Sequence, residues 1–476
     1  MARFMEGVVL RRGWNPWLVA TALISLPLLL NLCETMWRSP YPIHETVGLL
    51  QSYGDASPAS FFDPTTLSWY RPLYHLTWWM LRHTTGSLNS TLFWFKTIEL
   101  SSVVVLLALL IWYLRPRSLL DCAAATCAGA VLVGTPGFRT NLELPLLMTL
   151  VAMPMALAVW MLLERGPRWW HAPVILVVTL VAIGFKEQGL VIAPLVVAAW
   201  WFGAPGATRT TTALVVAGVA SYLAMRLATS GNWPVFVQDV ELGFTHLPAA
   251  EASARFGAFP FWIYAYNGAA TVANVLLSEP TDGRFVILWD VLHGRLQAFE
   301  LMNLLSSTLL TATVVWWGVR TLRHDWSGPW SRESRVFIAT VVAVAASGAL
   351  GFNYSRERLG GMAVVFYALA AYFAVRTLAL QAANTNRTRM VAAGLLLFVV
   401  AAGWQLRAIG TVEYVRTIAS KNRREWIVDL RKERTESGAV PHYVQILESM
   451  APQGLDPSAP RPVRYPHWLQ MWFGDI

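Results

Sequence analysis

What most constrains this chain is the recurrence of apolar runs close to 20 residues long along nearly its whole length. Each is long enough to cross a hydrocarbon core of about 30 Å as a helix. Backbone polar groups inside lipid must be satisfied within their own segment, so helices are the expected elements. The runs fall at 16–33, 92–114, 119–136, 143–163, 172–187, 188–203, 211–229, 300–319, 336–352, 359–379 and 390–406. They predict an all-α fold, a polytopic transmembrane helical bundle of about 11 spans with interfacial helices on its outer face. Composition agrees: 55% of the residues are hydrophobic and 14% charged, where a soluble domain carries about 25% charged residues. No small-residue cleavage signature follows the first run; Glu34, Met36 and Trp37 come next, so it reads as a retained span.

Arginines set the expected orientation. Arg11, Arg12, Arg115, Arg117, Arg165, Arg168, Arg320, Arg323, Arg332, Arg335, Arg376, Arg387 and Arg389 share one side of this arrangement. The positive-inside rule makes that side cytoplasmic and puts the N-terminus inside. Residues 1–406 then form one membrane domain with two long outer loops, 34–91 and 230–299. Within the first, 67–82 is amphipathic and suited to the interface. Within the second, the apolar patch 258–277 reads either as interfacial or as a further span that would invert everything after it. The interfacial reading is adopted, which leaves 407–476 as a small helical extracytoplasmic tail. Tryptophan pairs such as Trp78-Trp79 and Trp200-Trp201 sit at run ends, where an aromatic belt belongs. The net charge of +9 comes almost wholly from arginine. That is explained by basic cytoplasmic loops, and no basic–aromatic stripe suggests nucleic acid. The bias of arginine over lysine points to a bacterial plasma membrane. Cys33, Cys122 and Cys127 form no disulfide or metal framework, and the histidines lack metal-binding spacing.

Against this background two charged islands stand out: Trp69-Tyr70-Arg71-Pro72-Leu73 and Phe185-Lys186-Glu187-Gln188-Gly189. Charge near bilayer depth costs roughly 2.5–3.5 kcal/mol per residue on insertion scales and marks substrate or ion sites. Lys186 is one of only four lysines, and it interrupts the apolar run 173–201.

The islands carry a resemblance. Tyr70-Arg71-Pro72-Leu73, with an aromatic helix and Gly86 behind it, resembles the Tyr-Arg-Pro-Leu signature in the first outer loop of integral-membrane glycosyltransferases of the GT-C fold. The protein O-mannosyltransferases and their tetratricopeptide-linked relatives are examples. Phe185-Lys186-Glu187-Gln188-Gly189 is similar to that group's Ser-Lys-Glu-Gln-Gly segment. Thr135-Pro136 with Glu143 resembles its His-Pro-Val-His-Thr-Glu element, and Tyr354-Ser355-Arg356-Glu357-Arg358 its basic segment before a late span. Where those families carry paired acids early in the first outer loop, this chain has His44-Glu45.

The resemblance implies transfer of a sugar from a polyprenyl-phosphate-linked donor to an acceptor hydroxyl on a glycan, lipid or protein, at the extracytoplasmic face. Such chemistry needs a carboxylate to take the acceptor proton and cations to hold the departing phosphate. Glu45 is the first candidate base, with Asp55 and Asp63 as alternatives on the same loop. Arg71, Lys186, Glu187, Arg356, Arg358 and Glu143 are the candidate substrate-binding residues. Bland readings stand beside these: Arg71 snorkelling to headgroups, Lys186 and Glu187 in a structural ion pair, Glu143 partnering Arg139. On a helix, adjacent Lys186 and Glu187 would point about 100° apart and need not pair. No metal site is read from the sequence, and a divalent metal is left open. Other function classes remain, either a transporter or flippase of lipid-linked sugars or an O-antigen ligase-like or polymerase-like enzyme.

Overall fold

The computed structural model describes residues 15–38, 57–64, 70–85, 88–143, 148–230, 240–242, 245–257, 261–277, 291–294, 296, 298–326, 328–384, 386–404 and 406. Among them the chain is overwhelmingly helical. The helices are α1 Pro16–Arg38, α2 Pro72–Thr85, α3 Leu88–Leu114, α4 Leu119–Gly134, α5 Pro136–Glu143, α6 Thr149–Leu163, α7 His171–Phe185, α8 Ile192–Trp201, α9 Arg209–Ser230, α10 Ala249–Phe256, α11 Phe261–Leu276, α12 Ala298–Asp325, α13 Arg332–Leu350 and α14 Gly361–Ala383. A final helix, α15, spans Arg387–Trp404. The all-α expectation holds, with one short exception among the described residues. Val240–Leu242 and Thr245–Leu247 form a two-stranded antiparallel ribbon, β1 and β2, with Glu241 opposite His246. Strands this short leave no periodic pattern to read in a sequence.

Each apolar run read from the sequence contains a helix among the described residues. Seven described helical stretches are long and apolar enough to cross a membrane: Pro16–Glu34, Phe93–Leu114, Arg209–Ala228, Leu301–Asp325, Arg332–Leu350, Arg358–Ala383 and Arg387–Trp404. This fits a membrane protein. Four further apolar helices, Leu119–Gly134, Thr149–Leu163, His171–Phe185 and Glu187–Trp201, are shorter; 16 residues rise only about 24 Å. The ambiguous patch 258–277 contains α11, whose face of Ile263, Asn267, Ala270, Thr271 and Asn274 is buried. Gly268 and Gly348 let α11 and α13 meet backbone to backbone, since a Cβ on either would lie 3.3 Å from the other's carbonyl oxygen. The tail 407–476 lies outside the described residues.

The core is built around α14. Of its apolar window, 72% is buried, and its small residues allow close approach from several sides. Alanine-rich α4 is buried all round, as a helix at the centre of a bundle must be. Trp317 of α12 stacks on Phe373 of α14 at 5.7 Å, and Trp160 of α6 donates its indole N–H to Tyr113 at 3.2 Å. Hydroxyl caps start two helices: Ser118 accepts from the Asp121 N–H at 3.1 Å, and Ser331 from the Ser334 N–H at 3.2 Å. Up-and-down connections give the bundle two ends. One holds the end of α7, the end of α13 and the start of α14; the other holds the end of α6 and the starts of α4, α7 and α13.

Candidate functional site

The first of these ends gathers the two charged islands, which are more than 100 residues apart in sequence. Local chemistry explains how. Pro72 occupies the first position of α2, where its missing N–H costs nothing, and Arg71 precedes it with its carbonyl accepting from the His75 N–H at 3.1 Å. Gly184 near the end of α7 lets α2 approach, because a Cβ there would lie 2.9 Å from the Leu73 side chain. α7 stops at Phe185. Lys186 turns extended, with φ −155° and ψ 134°, and caps a 3-10 turn over Glu187–Val191. That turn folds back on α7 so closely that a Cβ at Gly189 would sit 2.5 Å from the Ile183 backbone nitrogen. Only glycine fits there.

The result is a compact ionic cluster. Arg71 pairs bidentately with Glu187, Nε to Oε2 at 2.6 Å and Nη2 to Oε1 at 2.7 Å. Lys186 Nζ reaches the same carboxylate at 3.3 Å, with a side chain only 2% exposed. The sequence argument that neighbours need not pair assumed a helix. The extended backbone at Lys186 removes that assumption and brings both cations to Glu187.

The segment before α14 completes the cluster. Arg356 is buried, 5.8 Å from the centre of the Tyr354 ring, and donates to the Ser355 carbonyl at 3.0 Å. Arg358 lies in the 3-10 turn Glu357–Gly360, close enough for its charge to act on Lys186 and on Tyr354. Its Nε is buried and has no hydrogen-bond partner among the described residues. The charges of Arg356 and Arg358, with those of Arg71 and Glu187, reach the Tyr354 phenol.

Of the candidate bases, Glu45 and Asp55 lie outside the described residues. Asp63 is exposed at the end of the turn Pro58–Phe62, and its charge acts on Tyr70, next to Arg71. Tyr70 ties this rim down, donating to the Phe62 carbonyl at 3.3 Å while its own carbonyl accepts from Tyr222 at 3.2 Å. Glu143 is the last residue of α5, and its side chain is outside the described set.

Sequence reasoning missed four partners: Tyr222, Arg226 bonded to it, Gln188 and Asn141. Tyr222 and Arg226 stand one turn apart in an apolar helix, a signal that was present. Among the described residues no three His, Cys, Asp or Glu side chains come together to hold a metal ion.

Among the described side chains, four cations, Arg71, Lys186, Arg356 and Arg358, stand with two carboxylates, Glu187 and Asp63 at the rim, while the Glu357 side chain lies outside the described set. Desolvated cations in such surplus suit a phosphate or another compact anion. Comparison with protein-family models, with curated proteins and with solved structures finds no match.

Proposed function

We propose that this chain is an integral-membrane glycosyltransferase that moves a hexosyl or pentosyl unit from a polyprenyl-phosphate-linked donor to an acceptor hydroxyl. The supporting observation is the excess, among the described side chains, of the cations Arg71, Lys186, Arg356 and Arg358 over the carboxylate Glu187 at one end of an apolar helical bundle. A lipid-linked sugar phosphate matches both properties, an anion carried by a chain that partitions into the same apolar surroundings. In this reading the bundle crosses the plasma membrane about 11 times, GT-C-like, with the N-terminus and the arginine-rich end cytoplasmic and the Lys186 end outside.

The chemistry then runs as a single displacement. The acceptor oxygen attacks the anomeric carbon and gives its proton to a carboxylate of the first outer loop, Glu45, Asp55 or Asp63. The bond from that carbon to the phosphate oxygen breaks, its electron pair leaving with the polyprenyl phosphate. Lys186 and Arg358 face the growing negative charge, while Glu187, held by Arg71, fixes the Lys186 ammonium. Fixed cations aimed at a developing oxyanion need no reorganisation during the reaction.

The test is transfer from a labelled polyprenyl-phosphate sugar by purified protein in detergent, with no gradient across any membrane. Wild type should transfer, and Lys186→Met should lose about 10²–10³-fold in turnover, the cost of one oxyanion contact. A protein that moves the labelled lipid across vesicles but never cleaves it would replace this reading with the transporter.

A further inference from the structure

Two buried carboxamides beside the cluster touch none of its charged groups. Gln188 is fully buried in the turn after Lys186, and its Nε2 donates to the Arg358 carbonyl at 2.8 Å. Asn141 of α5 is 1% exposed. Its Nδ2 donates to the Gly137 carbonyl at 2.6 Å and, more weakly, to the same Arg358 carbonyl at 3.4 Å. One backbone oxygen is therefore held from two separate elements, 170 and 217 residues away in sequence. Gly361 leaves room for this, since a Cβ there would come within 3.2 Å of Asn141 Nδ2.

The other side of the same residue is the opposite case. The charge of the Arg358 guanidinium reaches Lys186 and Tyr354, and its buried Nε has no hydrogen-bond partner among the described residues, which do not include the Glu357 side chain. Burying an N–H without a partner costs free energy that packing alone does not return. A pinned peptide unit whose side chain keeps an unused donor is how a protein pre-organises that side chain for a ligand.

We infer that Gln188 and Asn141 are positioning residues, which hold the Glu357–Gly360 turn so that Arg358 meets the phosphate of the lipid donor. The inference rests on the phosphate site proposed above and adds what aims its third cation. Neither carboxamide touches the ligand; both act through the Arg358 backbone.

The test is equilibrium binding of polyprenyl phosphate, and of neutral polyprenol as control, to the full chain in nanodiscs. Gln188→Met keeps the volume and removes the donor. It should weaken polyprenyl phosphate by about threefold to tenfold, the range for one lost hydrogen bond, and leave polyprenol unchanged. In an Arg358→Gln background the same substitution should add nothing, because the residue it positions is gone. Asn141→Ala, removing the longer bond, should show the same selectivity with a smaller loss, and serves if Gln188→Met folds poorly. Equal weakening of both lipids, or a Gln188→Met effect that persists in Arg358→Gln, would reduce the carboxamides to ordinary packing. Wild-type binding that falls in Arg358→Gln but not in Gln188→Met overturns this inference alone. A wild type that binds neither lipid overturns the phosphate site along with it.

Discussion

The two ends of the bundle handle buried charge in opposite ways. At the Arg335 end, the buried carboxylates Glu164, Asp121 and Asp325 are each matched. Arg335 grips Glu164 bidentately at 2.8 and 2.9 Å, and Arg376 meets Asp121 at 2.5 Å. Arg332 lies over the Tyr113 ring at 4.0 Å and donates to the Tyr113 carbonyl at 2.6 Å. Asp325 accepts from the Ser331 N–H at 2.8 Å and the Ser334 hydroxyl at 2.6 Å. At the Lys186 end, among the described side chains, one carboxylate serves two cations, and two more arginines act on the neighbouring Tyr354. Matched pairs fasten helices together. A surplus of buried cations is costly to fold and persists where something anionic binds.

The largest effect that can break this comparison is at the matched end. Arg335→Met leaves Glu164, whose side chain is 8% exposed, without its cation. Removing one partner of a buried pair costs about 3–5 kcal/mol. Thermal unfolding in detergent should shift accordingly, while turnover measured on the folded fraction stays near wild type. If turnover falls hundredfold with little loss of stability, the matched end is not merely structural.

A smaller effect sharpens the other side. Gly189→Ala forces a Cβ against the backbone of Ala182 and Ile183. Overpacking of this kind costs about 1–3 kcal/mol, and here it should also displace Lys186 from Glu187. Turnover should therefore fall by more than the stability loss alone explains. Unchanged turnover in a destabilised Gly189→Ala protein would detach the turn from the site.

The contrast between the ends was partly legible in the sequence. Lys186, Glu187, Arg71 and Arg358 were visible because charge interrupting an apolar run is rare. Their pairing was not visible, since it depends on an extended Lys186, and that in turn on contacts at Gly184 and Gly189 that no local pattern encodes. Asn141 and Gln188 look like ordinary polar residues until their common target, the Arg358 carbonyl, is known. Glu99 escaped altogether: it lies in the run 92–114, fully buried, and accepts the Met148 N–H at 3.0 Å where the chain turns into α6 with φ 51°. The apolar helices were legible in place but less so in extent: the run 300–319 lies within a helix that continues to Asp325, and the run 143–163 holds a helix that starts only at Thr149. The short ribbon β1–β2 was not legible, and two of the three candidate bases lie outside the described residues.

The most direct test of the central claim compares the two ends in one assay: polyprenyl phosphate binding at equilibrium to wild type, Lys186→Met and Arg376→Met in nanodiscs. Arg376 is the control at the matched end, and because its loss leaves the 8% exposed Asp121 side chain without its cation, affinity is compared on the folded fraction of each protein. The expected result is at least a tenfold loss of affinity in Lys186→Met, equivalent to about 1.4 kcal/mol, with Arg376→Met within twofold of wild type. Equal affinities in all three proteins, or a larger loss in Arg376→Met, would contradict the assignment of the cationic surplus to a phosphate.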